Sequence, residues 1–448
     1  MSGLSELTNR GSYALAPELV LTPEGALSDM VVQVRDGEIV QVGPRGLVAA
    51  GTAVVDLPER AIVPGFIDAH THLGQAFGKA ITGGEPAQIW RRIWTPMEGS
   101  YDAETVYVSA KWMFLEALRG GFTGIVNFAV LDGEKAAALH QAATDVGIRL
   151  VSATGAALPV DGTRQPSPCD IAKAIDGALK QAEAHIATCK GQPLITPSLC
   201  VPAVQSAPGE MLRALSDYAA AHDVLFQIHT NEHHVEVHWS VCTHGKRPLE
   251  YFADHGAVGP HTLHHHCTLV TDREIEILRE TRSAVSYNPL ASAWKGDRIA
   301  PALGFAARGV RFGIGTDSTR SDALRLLESA ETAQRFSQGM QNADFSCGAA
   351  WTWIDAATRG SADAAGLGEH RMRACGYGMS AIYTPLWVDP PMFYEGNSQL
   401  MEAGNTFFLH MILANSDTGR AMTLGHSVLI TESGCDRLSR SSLDLVIK

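Results

Sequence analysis

Residues 65–74, which read GFIDAHTHLG, place two histidines two positions apart at the end of an apolar run. In an extended strand, residues i and i+2 point to the same face, so the side chains of His70 and His72 are expected to project together. Phe66 and Ile67 favour a strand, and glycines bound the run on both sides. Two convergent imidazoles make half of a zinc or iron site, although a polar strand end with hydrogen-bonded histidines has the same pattern.

A regular alternation of short apolar and helical segments begins at residue 61. Counting from AIVPGFIDAH at residues 61–70, eight strand candidates are separated by helical connections, and the last is VRFGIGTDS at residues 310–318. Repeated β-α units of this number predict an α/β fold with a parallel (β/α)8 TIM-like barrel. Residues 13–57 instead alternate apolar runs with turns, and they predict a small antiparallel β unit with a hairpin at Asp36-Gly37.

The composition excludes several classes of protein. The chain has 448 residues, 45% hydrophobic and 19% charged, which is typical of a globular protein with ample material for a core. Its net charge of -13 argues against nucleic-acid binding. No stretch approaches the roughly 18 apolar residues of a membrane span. The N-terminus lacks the pattern of a signal peptide, and the cysteines form no CxxC pair. We therefore expect a cytoplasmic protein with no membrane partner.

Four of the predicted barrel strands end in side chains suited to metal binding or proton transfer. In a barrel these ends converge over one mouth, although they are far apart in sequence. Three imidazoles and a carboxylate make a plausible open transition-metal site with room for a water molecule. A structural explanation would have to account for each polar strand end separately, so the joint pattern favours a metal site. The residues are His70 and His72 on strand one, His229 and Glu232 on strand five, His266 on strand six and Asp317 on strand eight.

The segments VPGFIDAHTHLG, HTNE, HCTLVTDREIEIL and GIGTDS, in this order, resemble the amidohydrolase superfamily. The resemblance is strongest to its triazine-hydrolase and cytosine-deaminase-like aminohydrolases, and it covers about residues 20–367. It implies one divalent metal, with zinc as the first choice and iron as the alternative. The implied metal ligands are His70, His72, His229 and Asp317.

The same resemblance implies the catalytic residues. Glu232 would shuttle protons, which is general acid–base work, and His266 would orient the substrate or the attacking water. Asp317 would ligate the metal and accept the proton of the water. Binuclear members of the superfamily use a carboxylated lysine from strand four, but PLITPSLCV carries none and Lys190 precedes it. We therefore expect a mononuclear site.

A third group of residues is predicted to contact the substrate. Gln75, His266 and Asn288 are the candidates. Near strand seven the family usually shows His-x-Pro-x-x-Asn, whereas this chain reads YNPLAS. Tyr287 stands at the position of the histidine and Ser292 at that of the asparagine.

Further histidines surround the candidates on strands five and six. Strict alternation along HTLHHHCTLV predicts that His264 shares the face of His266 and that His265 points away. In EHHVEVHW, lining of a loop or pocket is a better interpretation than metal ligation. The histidines of that segment are His233, His234 and His238.

The predicted function is that of a metal-dependent amidohydrolase or aminohydrolase. A metal-activated water would attack a C–N bond of a small nitrogen heterocycle and release ammonia or an amine. One alternative is hydrolysis of another C–N bond or of a C–Cl bond. Another is an inactive fusion protein with a metal-binding barrel. The expected partner is a small-molecule substrate, and homo-oligomerisation stays open.

The C-terminal tail departs from the amidohydrolase pattern. MEAGNTFFLHMIL and LITESGCDRLS resemble the end of the creatinase/prolidase pita-bread family, with His410 and Gly425 at positions where that family often has ligating glutamates. A fusion is one interpretation, and a diverged end of the native sandwich is the other. We predict an N-terminal β-sandwich portion (1–60), a hydrolase barrel (61–368) and an atypical α+β segment (369–448).

Overall fold

The computed structural model describes residues 11–80, 82, 89–131, 133–158, 166–344, 346, 348–367, 406–415 and 420–437. The chain divides into two compact units, Met1–Pro390 and Pro391–Lys448. Among the helices of the described residues, none is long and apolar enough to cross a membrane.

A five-stranded sheet precedes the barrel. Its order is β2-β1-β3-β4, with β5 also paired to β1. The predicted hairpin is present, because Arg35 pairs with Glu38 and the intervening Asp36 and Gly37 have positive φ angles of 51° and 80°. The strands are β1 Ser12–Thr22, β2 Gly25–Leu27, β3 Met30–Arg35, β4 Glu38–Pro44 and β5 Ala53–Ile62.

The prediction of a purely antiparallel unit is wrong for one strand pair. Strand β5 runs parallel to β1, with Tyr13 opposite Ala53 and Val20 opposite Ile62. The connection at residues 45–52 crosses the sheet and does not turn back beside β4. Strand β5 therefore starts at the same end of the sheet as β1 and runs in the same direction. Its last residues lead directly into the barrel.

Eight parallel strands form the nearly closed barrel, which confirms the predicted fold. Each strand pairs with its sequence neighbours in the order β13-β12-β11-β10-β9-β8-β7-β6. The strands are β6 Phe66–Thr71, β7 Phe122–Asn127, β8 Arg149–Gly155, β9 Ile195–Val201, β10 Leu225–Thr230, β11 Thr262–His266, β12 Ala284–Tyr287 and β13 Arg311–Ile314.

Helices cover the outside of the barrel, and the large apolar core lies between them and the strands. The principal helices are Ala103–Arg119, Gly133–Val146, Pro168–Cys189, Gly209–Ala221, His234–His244, Pro248–Asp254, Asp272–Thr281, Pro289–Lys295, Ala302–Arg308, Ala323–Gln334 and Ala349–Asp355. Shorter helical segments are Arg45–Leu47, Leu73–Ala80, Trp90–Trp94, Thr95–Gly99, Val204–Ser206, Arg335–Gly339, Met340–Asn342, Ala356–Gly360 and Ser361–Ala364.

Polar groups join the first barrel strand to the last. The backbone N–H of Asp317 donates to the carbonyl of His70 at 2.8 Å. The buried carboxylate of Asp68 accepts from the backbone N–H of Thr316 at 2.9 Å and from its hydroxyl at 2.6 Å. These bonds hold the two ends of the sheet together directly beneath the histidines of β6.

The C-terminal unit contains a three-stranded antiparallel sheet in its described residues. The strands are β14 Thr406–Asn415, β15 Arg420–Thr431 and β16 Gly434–Arg437, in the order β14-β15-β16. His410 stands opposite Gly425 in the register of the first pair. Residues 369–405, 416–419 and 438–448 of the predicted tail segment lie outside the described residues.

Candidate active site

The end of β6 presents its two histidines to the barrel interior. His70 is buried, and its Nε2 atom has no hydrogen-bond partner. The Nδ1 atom of His72 lies 3.1 Å from the carbonyl of Phe128. A carbonyl can only accept, so Nδ1 carries the proton and Nε2 keeps a free lone pair.

The end of β10 adds a third imidazole in the same state. The Nδ1 atom of His229 donates to the carbonyl of Pro202 at 2.9 Å, which again leaves Nε2 as the free nitrogen. One nitrogen from each of His70, His72 and His229 lies within 4.8 Å of the other two. Burial lowers the pKa of His72 to about 3 and that of His229 well below its usual value, so both rings are neutral at physiological pH.

Asp317 completes this donor set from the loop after β13. Its Oδ1 atom lies 3.4 Å from the Nε2 atoms of both His70 and His72. The backbone of Asp317 is left-handed, with φ at 47°. A Cβ at the preceding Gly315 would lie 2.4 Å from Asn288 Oδ1 and 2.8 Å from the backbone nitrogen of His70. Only glycine therefore lets this loop approach β6.

The donor set fits a divalent metal. Neutral imidazoles with their outer nitrogens held by carbonyls are typical metal ligands, and an unpartnered buried Nε2 at His70 is otherwise a cost. Three nitrogens with one carboxylate oxygen suit zinc or iron.

Glu232 lies beside this donor set, and a neighbouring carboxylate fixes its backbone. The Glu236 carboxylate accepts from the backbone N–H of Glu232 at 2.8 Å and from that of Asn231 at 3.1 Å, which fixes the turn after β10. Burial alone would raise the pKa of Glu232, but the nearby His233, His266 and Lys295 hold it well below its usual range. The carboxylate is thus ionised in this structure.

His266 lies at the same mouth, and one prediction about its neighbours is wrong. Its Nε2 atom is 3.5 Å from Glu232 Oε1 and 3.9 Å from Asp317 Oδ2. His265, predicted to point away, stacks on the ring of His70 with centroids 3.8 Å apart. His264, predicted to share the face of His266, instead hydrogen-bonds the hydroxyl of Thr230 and stacks on Phe252 of the outer helix Pro248–Asp254.

The physical reason is the backbone of His266, whose φ is 73°. Side chains alternate between faces only while the backbone stays extended. The left-handed turn at His266 returns its ring to the face already occupied by His265. The following Cys267 is also left-handed, with φ at 51°.

The candidate substrate contacts lie near the site but are bonded to protein. Asn288 is 1% exposed. Its Oδ1 atom accepts from the Ser286 hydroxyl at 2.8 Å, and its Nδ2 atom lies 3.3 Å from His266 Nδ1. Gln75 is buried and hydrogen-bonds Glu98, a carboxylate whose pKa burial raises to about 7. Both contacts with substrate stay predictions.

Two other sequence features fall outside the site. Tyr287 is fully buried on the outer side of β12, where its hydroxyl donates to the carbonyl of Ala330 and accepts from Gln334. His234 and His238 are exposed on the helix His234–His244. Tyr287 therefore does not take the place of a site histidine.

Lys295 is the site residue that sequence reasoning missed. Its Nζ atom lies 2.6 Å from Glu232 Oε1 and 2.7 Å from Asp317 Oδ2. Nearby, His233 lies between Glu232 and Asp297. The available signal was the triplet Lys-Gly-Asp at residues 295–297, at the end of the helix that follows strand seven.

A parallel eight-stranded barrel with histidines on strands one, five and six and an aspartate after strand eight defines the class of metal-dependent barrel hydrolases. The model of the Amidohydrolase family matches residues 61–370 of this chain. The chain belongs to the amidohydrolase family.

Similar proteins act on nucleosides and triazines, according to their names. The chain is 28% identical to a 5-methylthioadenosine/S-adenosylhomocysteine deaminase of Syntrophobacter fumaroxidans, covering 81% of each chain. It is 31% identical to a 5'-deoxyadenosine deaminase of Methanopyrus kandleri, covering 72% of each chain. These comparisons confirm the prediction of a hydrolase that acts on carbon–nitrogen bonds.

Solved structures show the same fold. An adenosine deaminase from Xanthomonas campestris with bound zinc has a TM-score of 0.69 at 24% identity, covering 80% of each chain. The atrazine chlorohydrolase of Arthrobacter aurescens complexed with zinc has a TM-score of 0.68 at 21% identity, covering 79% of this chain and 83% of that one.

Proposed function

We propose that this protein is a mononuclear metal-dependent aminohydrolase that removes the exocyclic amine of an aminopurine, most simply a 6-aminopurine nucleoside. The observation that carries the proposal is the convergence of three imidazole nitrogens within 4.8 Å of one another beside two carboxylates. The names of the relatives support a purine nucleoside as the small nitrogen heterocycle. Hydrolysis of a C–Cl bond is the second candidate, because a chlorohydrolase shares the fold.

We assign the metal to His70, His72, His229 and Asp317, with zinc preferred because two solved neighbours contain it. When bound, such an ion supplies a water molecule whose pKa is lowered toward about 7 and which is therefore nucleophilic at neutral pH. The tautomers of His72 and His229 support this assignment, since each keeps its free lone pair on Nε2.

The chain's own carboxylates would handle the protons of the reaction. Asp317 and Glu232 are ionised, so either can accept a proton from the attacking water. The new C–O bond forms at the carbon that carries the amine. Once Glu232 holds the proton of the water, taken directly or passed on by Asp317, it donates that proton to the leaving amine, the C–N bond breaks, and ammonia leaves.

His266 would hold the water and the developing oxyanion. Its Nε2 atom lies between the Glu232 and Asp317 carboxylates and has no hydrogen-bond partner among the described residues. Asn288 contacts its Nδ1 atom and fixes the plane of the ring. A donor at this position favours an oxygen that gains negative charge in the transition state.

We also propose the division into residues 1–60, 61–368 and 369–448, with the tail as a passenger related to the pita-bread family. The separate compact unit at Pro391–Lys448 is consistent with a fusion. His410 and Gly425, which stand opposite each other in the strand register, are at the two positions where that family often has ligating glutamates. Neither residue has a carboxylate. A diverged sandwich end is the other interpretation.

The test is ammonia release by the purified protein from a panel of purine nucleosides, free purines, pterins, pyrimidines and triazines, with metal content measured on the same sample. We expect ammonia from 6-aminopurine nucleosides and about one divalent ion per chain. Chloride release from chlorotriazines without ammonia from any amine would favour the second candidate. No product from a metal-loaded sample across the panel would contradict the proposal.

A further inference from the structure

Lys295 occupies an unusual position for a lysine. It is the last residue of the helix Pro289–Lys295, which Gly296 ends in the left-handed region at φ 72°. Its side chain is only 12% exposed. Its Nζ atom lies 2.6 Å from Glu232 Oε1 and 2.7 Å from Asp317 Oδ2. One ammonium therefore joins the two carboxylates that the proposed function requires.

Packing gives no reason for an ammonium at this position. The helix is anchored by its buried residues Pro289, Ala291 and Ser292, which lie one to two turns before the lysine. Burying an ammonium is costly unless it is paired, and here it is paired with two buried carboxylates. A methionine would fill the same space but would leave both carboxylates without this counter-ion. The charge itself is therefore the feature to explain.

The lysine fixes the orientation of Asp317. One oxygen of that carboxylate, Oδ1, faces the Nε2 atoms of His70 and His72 at 3.4 Å, while Lys295 holds the other oxygen, Oδ2. A charge-assisted hydrogen bond to Oδ2 resists rotation of the carboxylate. It keeps Oδ1 directed at the imidazoles.

A second contact on the same oxygen of Glu232 depends on the residue two positions after the lysine. Asp297 Oδ1 lies 3.1 Å from His233 Nδ1, and His233 Nε2 lies 3.3 Å from Glu232 Oε1. The turn at Gly296 allows Lys295 to reach Glu232 directly and Asp297 to reach it through His233. Three successive residues thus supply both supports of one carboxylate.

We propose that residues 295–297 form a clamp that positions Glu232 for proton transfer, with Lys295 acting directly and Asp297 acting through His233. The clamp deepens the function proposed above and rests on it. Lys295 and Asp297 are positioning residues, since both act on the substrate through Glu232. Without the clamp, Glu232 and Asp317 would repel each other and the general acid would leave its productive geometry.

The first experiment is Lys295→Met, which keeps the length of the side chain and removes the charge. We expect kcat to fall about 10²-fold with KM changed less than about threefold and metal content unchanged, because misplacement of a catalytic group costs turnover more than binding. Lys180→Met is the matched control, because Lys180 is exposed and pairs only with Asp176 on its own helix among its described contacts. A kcat within threefold of the parent would overturn the clamp.

Chemical rescue separates charge from shape. In Lys295→Ala, added propylamine should restore at least about tenfold of the lost kcat, whereas propanol at the same concentration should not. Equal rescue by both compounds, or rescue by neither in a folded and metal-loaded variant, would mean that the charge is not required.

Zinc binding provides a readout that does not depend on turnover. Lys295 orients Asp317, but it also places a positive charge beside the metal ligands, and we expect the repulsion between this charge and a divalent ion to be the larger effect. Lys295→Met should therefore tighten binding of zinc to the metal-free protein at least about tenfold, measured by competition with a chromophoric chelator. If no amine substrate is found but zinc binds more tightly, the proposed function fails while the placement of the charge stands. Active enzyme with unchanged kcat and zinc affinity would leave the function standing and remove the clamp.

The second arm is tested by a double-mutant cycle. His233→Asn and Asp297→Asn should each lower kcat about tenfold, and the double variant should cost little more than either one, because they act through one connection. Fully additive losses would show that Asp297 does not act through His233.

Discussion

The two oxygens of Asp317 have different neighbours. Substitution of this residue therefore removes a proposed metal ligand and a partner of Lys295 together. Oδ1 faces two imidazoles, and Oδ2 accepts from Lys295. Asp317→Ala should abolish stoichiometric metal binding, and adding His70→Ala should leave no measurable activity. The measurement is metal content by mass spectrometry with His238→Ala as the control, since that histidine is exposed. Retained metal and activity in the double variant would disprove the ligand assignment.

Glu232 is expected to act in proton transfer and not as a ligand. Glu232→Gln keeps the shape of the side chain but cannot carry the proton, so kcat should fall at least about 10²-fold while the metal stays bound. Turnover and metal content are measured on one preparation. Unchanged turnover would refute the role, and lost metal would make Glu232 a ligand.

At the scale of elements, the loop after β13 depends on one glycine. A Cβ at Gly315 would lie 2.4 Å from Asn288 Oδ1 and 2.7 Å from Ser286 Oγ. Gly315→Ala should lower the free energy of unfolding by about 1–3 kcal/mol and reduce activity, because the loop that carries Asp317 must shift. The measurement is urea unfolding together with kcat.

The matched control for this change is Gly177→Ala. Gly177 lies inside the helix Pro168–Cys189, and a Cβ there meets no atom within 4 Å. Alanine should stabilise this helix by about 0.5–1 kcal/mol without affecting kcat. Equal effects of the two substitutions would argue against the close approach of the loop to β6.

The helix Gly133–Val146 carries a buried histidine that makes the fold sensitive to acid. His140 bonds Ser152 of β8 at 2.9 Å, and burial lowers its pKa to about 4. As pH falls below about 6.5, the unfolded chain binds a proton at this site before the folded chain does, so stability is lost down to about pH 4. At pH 5 this site should cost about 2 kcal/mol.

The test of this acid sensitivity is His140→Gln. The variant should lose about 2 kcal/mol less than the parent when urea unfolding is compared at pH 7 and pH 5. The buried histidines other than His185, whose ring lies 5.7 Å from that of His140, affect both proteins alike, so the difference isolates this pair of histidines. Identical pH dependence in the two proteins would show that His140 can take up a proton while folded.

At the scale of the whole molecule, the two compact units divide near Pro390. A chain truncated after residue 368 should fold, bind its metal and keep kcat within about twofold, because every residue of the proposed site precedes that position. Unfolding temperature, metal content and ammonia release provide the comparison with the full chain. Failure to fold would favour a native sandwich end over a passenger tail.

Much of the barrel and most of the donor set follow from local sequence. The repeat of strand and helix predicts eight parallel strands, and the histidines at the ends of β6 and β10 together with Asp317 predict a metal site. Both inferences rest on residue type and on the period of extended backbone, which are local properties. The direction of β5 was not predictable in this way, because it depends on how a connection crosses the sheet.

The sequence by itself determined the class of fold, the chemical type of the donor residues and their order along the barrel. Only the tertiary structure decided which histidines of β11 face inward, because the left-handed backbone at His266 breaks the alternation that the sequence implies. It also brought Lys295 to Glu232 directly and Asp297 to it through His233, across more than sixty residues of chain. Such contacts depend on the closure of the barrel and on the turn at Gly296, and neither leaves a periodic signal in the sequence.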